Sequence, residues 1–167
     1  NKKSESMIFL NLKRRKLIYL FALIFIFGCS ENSSDEKGIN FEGLIEFNYA
    51  KGLKIEIKAD NSPVSNGDLR CNELITNKIL ELTPNIPIVS EETVDLKIKN
   101  KEKIFWLIDP IDGTKEYIVG KDEYTLNAAL IIDKVPCIGL VGAPKKKQLF
   151  FSYGINDSYL IENNKKI

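Results

Sequence analysis

From Gly52 to Asp60 the chain reads GLKIEIKAD, with apolar and charged positions alternating and Leu53, Ile55 and Ile57 on one side. A period of two predicts a half-buried strand. Pro63 interrupts it, and Ser62 or Ser65 is placed to cap a helix over about 67–82, where Leu69, Leu74, Ile75, Ile79 and Leu82 form an apolar stripe. Thr83-Pro84 ends that helix, because the residue before a proline is pushed out of the helical region. IPIVS predicts a short strand leading to Glu91-Glu92, and residues 104–108 another leading to Asp109. YTLNAALIID and PCIGLVGAP predict strands joined at Asp133-Lys134, and QLFFSYG and SYLIEN continue a meander. A helix over 41–50 is only weakly marked. From residue 39 onward the pattern describes one mixed α and β unit, without internal repeats or a long linker.

Residues 1–38 have a different character. Lys13-Arg14-Arg15-Lys16 precedes the apolar run Leu17 to Phe27, followed by Gly28-Cys29 and the polar stretch SENSSDEKG. One reading is a bacterial lipoprotein signal with Cys29 as the lipidated residue; the run is shorter than the roughly 20 residues of a membrane-spanning helix. The other is a spurious segment, set ahead of the domain by a wrong start or a sequence junction, Met7 being the first candidate initiator. The expected location is the cytoplasm, with inner-membrane association through this segment if it is native.

Composition narrows the chemistry. The 167 residues are 44% hydrophobic and 28% charged, enough for one domain with its own core. With 24 basic against 23 acidic residues the net charge is +1, so no long-range field points to nucleic acid. The Lys145-Lys146-Lys147 run reads as a solvated turn. There is no histidine, which removes Ser-His-Asp hydrolysis and His-ligated zinc and leaves carboxylates, hydroxyls, lysines or a metal. Cys29, Cys71 and Cys137 are widely spaced and suggest no disulfide framework.

The stretch FWLIDPIDGTKEY, residues 105–117, places two carboxylates in one tight turn. Asp60, Glu91, Asp109 and Asp112 each follow a predicted strand. Taken singly, Glu91-Glu92 reads as a solvated pair and D-x-x-D-G as a turn; together, the four carboxylates are better explained by a hard cation such as magnesium. Pro110 keeps Asp109 extended, so both aspartates can face one side. The turn frees the Ile111 carbonyl as a further oxygen, and Gly113 lets the backbone pass close to a ligand. A helical turn starting near Thr114 would aim unpaired N–H groups at an anion.

WLIDPIDGTKEY, with VSEE upstream and KADNSPVSNGD before that, resembles the lithium-sensitive, magnesium-dependent phosphomonoesterase family that includes inositol monophosphatase. Within it, K-x-D-x-S-P-V-[ST] and G-T-K-E-[FY] favour the 3'(2'),5'-bisphosphate nucleotidases of the bacterial CysQ type. The resemblance runs from about Gly52 to Asn164. It implies an α+β fold, a layered α/β sandwich with a mostly antiparallel sheet flanked by helices. It makes Glu91, Asp109, the Ile111 carbonyl and Asp112 ligands of magnesium, with about two or three ions in a complete enzyme. Gly113 and Thr114 take phosphate positions, bordered by Glu91, Ile111 and Asp112. Asp60, Glu91 and Thr114 take catalytic ones, with Asp60 as water-activating base or third-ion ligand and the Thr114 hydroxyl helping to activate water. The implied reaction is in-line attack of activated water on a small-molecule phosphate monoester. The substrate implied is 3'-phosphoadenosine 5'-phosphate, converted to AMP and phosphate, which clears a by-product of sulfate assimilation.

Departures accompany the likeness. Ser65 stands where threonine is usual and Gly67 where alanine is usual, both conservative changes. The family's W-D-x-A-[AG] segment, whose aspartate binds the second ion, has no counterpart: the one tryptophan, Trp106, belongs to the earlier motif. The expectation is the front part of the enzyme, with little turnover by itself. The alternatives are an inositol-monophosphatase-like sugar phosphatase and a catalytically dead membrane-anchored fragment.

Overall fold

A seven-stranded sheet organises the fold, and among the described residues one long helix packs on one of its faces. The structure, a computed structural model, describes residues 52–93, 102–154, 157–162 and the backbone of 165–166. The signal-like segment 1–38 and the helix expected over 41–50 lie outside the described residues.

Strands β1 (Ile55–Ile57) and β2 (Pro63–Ser65) form a separate antiparallel ribbon. Helix α1 (Asn66–Leu82) follows at once, and Ser65 is its N-cap. The Ser65 hydroxyl accepts from the Gly67 N–H, while the Asp68 carboxylate accepts from the Ser65 N–H at 2.8 Å. This reciprocal pairing satisfies donors that a helix start otherwise leaves open. Next come β3 (Ile88–Ser90), β4 (Ile104–Asp112), the short helix α2 (Thr114–Ile118), β5 (Thr125–Ile132), β6 (Val135–Ala143), β7 (Gln148–Tyr153), β8 (Asp157–Glu162) and β9 (Lys165–Lys166).

The sheet order is β3-β4-β5-β6-β7-β8-β9, with β3 parallel to β4 and every other pair antiparallel. The meander follows from its turns: Asp133 and Lys134 both adopt positive φ, 49° and 68°, which suits the twist of a two-residue hairpin. Alternation along the strands sends Trp106, Ile108, Leu126, Leu130, Ile138, Leu140, Leu149 and Phe151 to one face. There they join Cys71, Ile75 and Ile79 of α1 in one core. Trp106 is fully buried and donates its indole N–H to Thr83 Oγ1 at 3.1 Å, fastening the end of α1 to β4. The expected α+β class and mostly antiparallel sheet are observed, and the lysine run is exposed, Lys145 and Lys146 ending the 3-10 turn Pro144–Lys146 and Lys147 capping it.

Three expectations need correction. The β1 strand exists, but it is not half-buried: Ile55 and Ile57 are exposed, because among the described residues β1 pairs with β2 alone and lies outside the main sheet. In α1, Leu69 is exposed and Cys71 takes its place in the core, where burial pushes the thiol up to about 12. The strand leading to Asp109 does not end at Ile108. It continues to Asp112 with a register shift between Asp109 and Asp112, so both aspartates are strand residues flanking an irregularity.

Gly67 is not interchangeable with alanine in this chain. A Cβ there would lie 2.5 Å from the Tyr117 hydroxyl oxygen and 2.6 Å from Cε1 of a ring that is fully buried. Gly67→Ala should therefore destabilise the protein by about 1–3 kcal/mol, read as a lower urea midpoint. An unchanged midpoint would show that Tyr117 has room to move.

Candidate active site

The end of β3 and the irregular end of β4 lie side by side, because these two strands are parallel neighbours. Glu91 follows β3 directly, and its N–H donates to the Ile108 carbonyl at 3.1 Å, which places it beside Asp109. Residues 90–93 close a turn through the Thr93 N–H and the Ser90 carbonyl at 3.1 Å. The Ser90 hydroxyl accepts from the Glu92 N–H at 3.3 Å and donates to Asn72 Oδ1 of α1 at 2.6 Å, tying this turn to the helix.

Asp109 is half-buried, and among the described residues its Oδ1 is buried without a hydrogen-bond partner. Burial first, then the negative charges of Glu91 and Asp112 and a hydrogen bond that the protonated carboxyl shares with Glu91, push it up to about 7. Lys58 counters part of this charge from the ribbon, with its ammonium 3.3 Å from Glu91 and 3.0 Å from the Glu92 carboxylate. Burial raises the Glu92 carboxyl and Lys58 opposes the shift. Asp112 is exposed and accepts from Asn127 Nδ2 of β5 at 3.1 Å. Lys58, Asp60, Glu91, Asp109 and Asn127 line one open cavity of about 750 Å³, floored by Leu107, Ala129, Gly139 and Val141.

The expected helical turn after the motif is present. Gly113 has φ of 97°, and a Cβ there would meet the Glu123 carbonyl oxygen at 2.8 Å, so conformation and space both favour glycine. Thr114 begins α2, and its hydroxyl lies 2.9 Å from Asp68 Oδ1 and 3.1 Å from the Ile111 carbonyl. Pro110 and Ile111 have no register partner on β5, consistent with a carbonyl freed from the ladder.

Thus Glu91 and Asp112 are each brought within electrostatic reach of Asp109, and Thr114 and the Ile111 carbonyl lie in contact with each other. Asp60 lines the same cavity but stays exposed. Ser62 binds it through hydroxyl and backbone N–H, at 2.6 and 3.0 Å, and holds its carboxyl below the usual range. The carboxylate that meets Thr114 is Asp68, fully buried and not singled out by the sequence. Its spacing from Ser65 was a visible capping signal, but a contact 46 residues along the chain leaves no local trace. Lys58 and Asn127 were missed for the same reason.

Among the described residues, no group of three acidic side chains is already drawn to one point as a formed metal site. The donor chemistry nevertheless fits a hard cation: carboxylates crowd together, and one of them holds a buried oxygen that lacks a donor.

The model of the inositol monophosphatase family matches residues 38–166. The chain belongs to that family. Among curated members, the 3'(2'),5'-bisphosphate nucleotidase CysQ of Escherichia coli O157:H7 is 40% identical over 99 residues, 59% of this chain and 40% of that protein. The CysQ of Aggregatibacter actinomycetemcomitans is 32% identical over 106 residues, 62% of this chain and 39% of its own length. The chain therefore spans about two fifths of the length of these relatives. An IMPase of Thermotoga maritima superposes with a TM-score of 0.66 at 21% identity, over 92% of this chain and 53% of its own. An IMPase/NADP phosphatase complexed with Mg2+ and phosphate gives 0.60 at 18%, over 71% and 46%. These two structures establish the shared inositol monophosphatase fold. Among the described residues no helix is long and apolar enough to cross a membrane.

Proposed function

We propose that this protein works as a magnesium-dependent phosphomonoesterase of the CysQ type, taking 3'-phosphoadenosine 5'-phosphate to AMP and phosphate in support of sulfate assimilation. The observation that carries the reading is the buried Asp109 Oδ1, which has no donor among the described residues and is crowded by Glu91 and Asp112, in a sequence that goes directly on to Thr114 and its bond to Asp68. The names of the CysQ relatives point to the substrate, and the IMPase/NADP phosphatase bound to Mg2+ and phosphate supports the ion.

Glu91, Asp109, the Ile111 carbonyl and Asp112 would hold the cation. When bound, magnesium supplies positive charge that offsets the carboxylates and the phosphate and makes a nearby water more acidic. Thr114 and Asp68 provide the route for the proton. As the Thr114 hydroxyl passes its proton to Asp68 it can accept one from the attacking water, whose oxygen forms the new bond to phosphorus while the P–O ester bond breaks; the ester oxygen leaves with a proton taken from solvent water, and Asp68 gives its own back to solvent. Gly113 and Thr114 orient the phosphate at the start of α2. Asp60, on the cavity wall, is placed to hold a further water or ion. Lys58, on the cavity wall, pairs with Glu91 beside it and with the buried Glu92 carboxylate behind it.

The test is a substrate comparison with magnesium present, using the chain extended through the family's W-D-x-A-[AG] segment. The kcat/KM for 3'-phosphoadenosine 5'-phosphate should exceed that for inositol 1-phosphate by at least about tenfold, the discrimination expected of a site built for polar groups of one substrate. Equal values would favour the sugar-phosphatase reading.

A further inference from the structure

Asn127 stands directly opposite Asp109 in the β4–β5 register, and both line the same cavity. Its two amide atoms do different things. The nitrogen donates to Asp112 Oδ2 at 3.1 Å, whereas among the described residues the oxygen is buried with no hydrogen-bond partner. The orientation of the amide is dictated by Asp112, since a flipped side chain would set oxygen against carboxylate oxygen. Two cross-strand neighbours thus each bury an acceptor oxygen without a donor, Asp109 Oδ1 and Asn127 Oδ1.

Leaving one buried acceptor unsatisfied is costly, and leaving two side by side is harder to explain by packing alone. A serine, alanine or valine would occupy this strand position without that cost. A hard cation meets the need of both atoms at once, because amide and carboxylate oxygens are its ordinary ligands.

We propose that Asn127 belongs to the cation site, its Oδ1 supplying a neutral oxygen beside the carboxylates while its Nδ2 holds Asp112 in position. This rests on the cation reading of the site and extends it to β5, a strand that the acidic motif does not include. One amide then joins the ligand sets on either side of the β4 irregularity: Asp109 lies across from it, and Asp112 is hydrogen-bonded to it. A neutral ligand adds affinity without adding to the carboxylate repulsion already present at Asp109.

The experiment is a manganese titration of the full 167-residue chain, following the loss of the free-ion electron paramagnetic resonance signal. Wild type is compared with Asn127→Leu, which keeps the branched shape and removes both amide atoms, and with Asn127→Asp, which keeps an oxygen facing the cavity. Melting of the ion-free proteins reports folding separately, and Asn127→Ser replaces the leucine variant if leucine unfolds the strand. Asn127→Leu should bind manganese about tenfold more weakly, and Asn127→Asp should return to wild-type affinity or better. Wild-type affinity in Asn127→Leu overturns the assignment of Asn127 and leaves the cation reading standing. So does Asn127→Asp binding as weakly as the leucine variant, which would trace the effect to the Asp112 hydrogen bond alone. A wild-type chain that binds no manganese removes both.

Discussion

Asp109→Asn is expected to make the ion-free protein more stable at pH 8 while nearly abolishing cation binding and phosphatase activity. The physical cause is the same for both effects. Asp109 carries a charge that burial, Glu91 and Asp112 all disfavour, pushing its carboxyl up to about 7. A carboxyl raised in the folded state binds its proton more tightly there than in the unfolded chain. Its contribution is therefore favourable below the unfolded value near 3.8 and is lost as pH rises through about 7. At pH 8 the wild type bears the full penalty, about 1–2 kcal/mol after allowing for solvent screening of a half-exposed group. Asparagine does not, so the gain should be largest at pH 8, smaller at pH 5 and absent near pH 4. Magnesium should reverse the order, raising the melting temperature of wild type at pH 8 and leaving Asp109→Asn unmoved. In the form extended through the second-ion segment, kcat/KM should fall at least about a hundredfold, the loss of charge stabilisation at phosphate. A variant with near-wild-type turnover at saturating magnesium, or without the pH-dependent gain, would count against the site.

The second large effect should come from Asp68→Asn, and it should have the opposite signature. Asp68 is fully buried, accepts from Ser65 at the start of α1, and is 2.9 Å from the Thr114 hydroxyl. Asparagine keeps the shape but removes the charge that would receive the proton. The expected result in the extended form is a fall in kcat of about a hundredfold, the usual scale for losing a general base. Manganese affinity should stay within about threefold of wild type, because Asp68 faces Thr114 and the helix cap rather than the cation oxygens. Stability should fall by about 1 kcal/mol through the weakened cap. If kcat changes little while Asp60→Asn abolishes it, the proton route runs through Asp60 instead. A loss of cation affinity equal to the loss of kcat would make Asp68 part of the cation site.

Much of this protein was written in short-range pattern. Period-two alternation located the strands of the meander, Ser62 or Ser65 marked the start of α1, of which Ser65 is the cap, and Thr83-Pro84 marked its end, since pleat, capping and proline sterics act within a few residues. The D-P-I-D-G-T turn announced the acidic chemistry because its constraints are also local, namely the stiffness of Pro110 and the positive φ of Gly113. The errors arose where an outcome depended on neighbours distant in sequence. Ile55 and Ile57 alternate as a buried strand should, yet they are exposed because β1 pairs outside the main sheet. Leu69 and Cys71 exchanged places because the orientation of α1 against β4 is chosen by packing and by the Trp106 to Thr83 bond. Substituting Gly67 for alanine looked harmless until Tyr117 filled the space beside it. The candidate site divides in the same way: Asp60, Glu91, Asp109 and Asp112 were legible in the sequence as a set of carboxylates, although Asp109 and Asp112 sit on an irregular strand end. Only the tertiary structure brought Asp68 to Thr114, Lys58 to Glu91 and Glu92, and Asn127 to Asp112, because partners so far apart along the chain meet through sheet register and helix docking, which single-segment patterns do not encode.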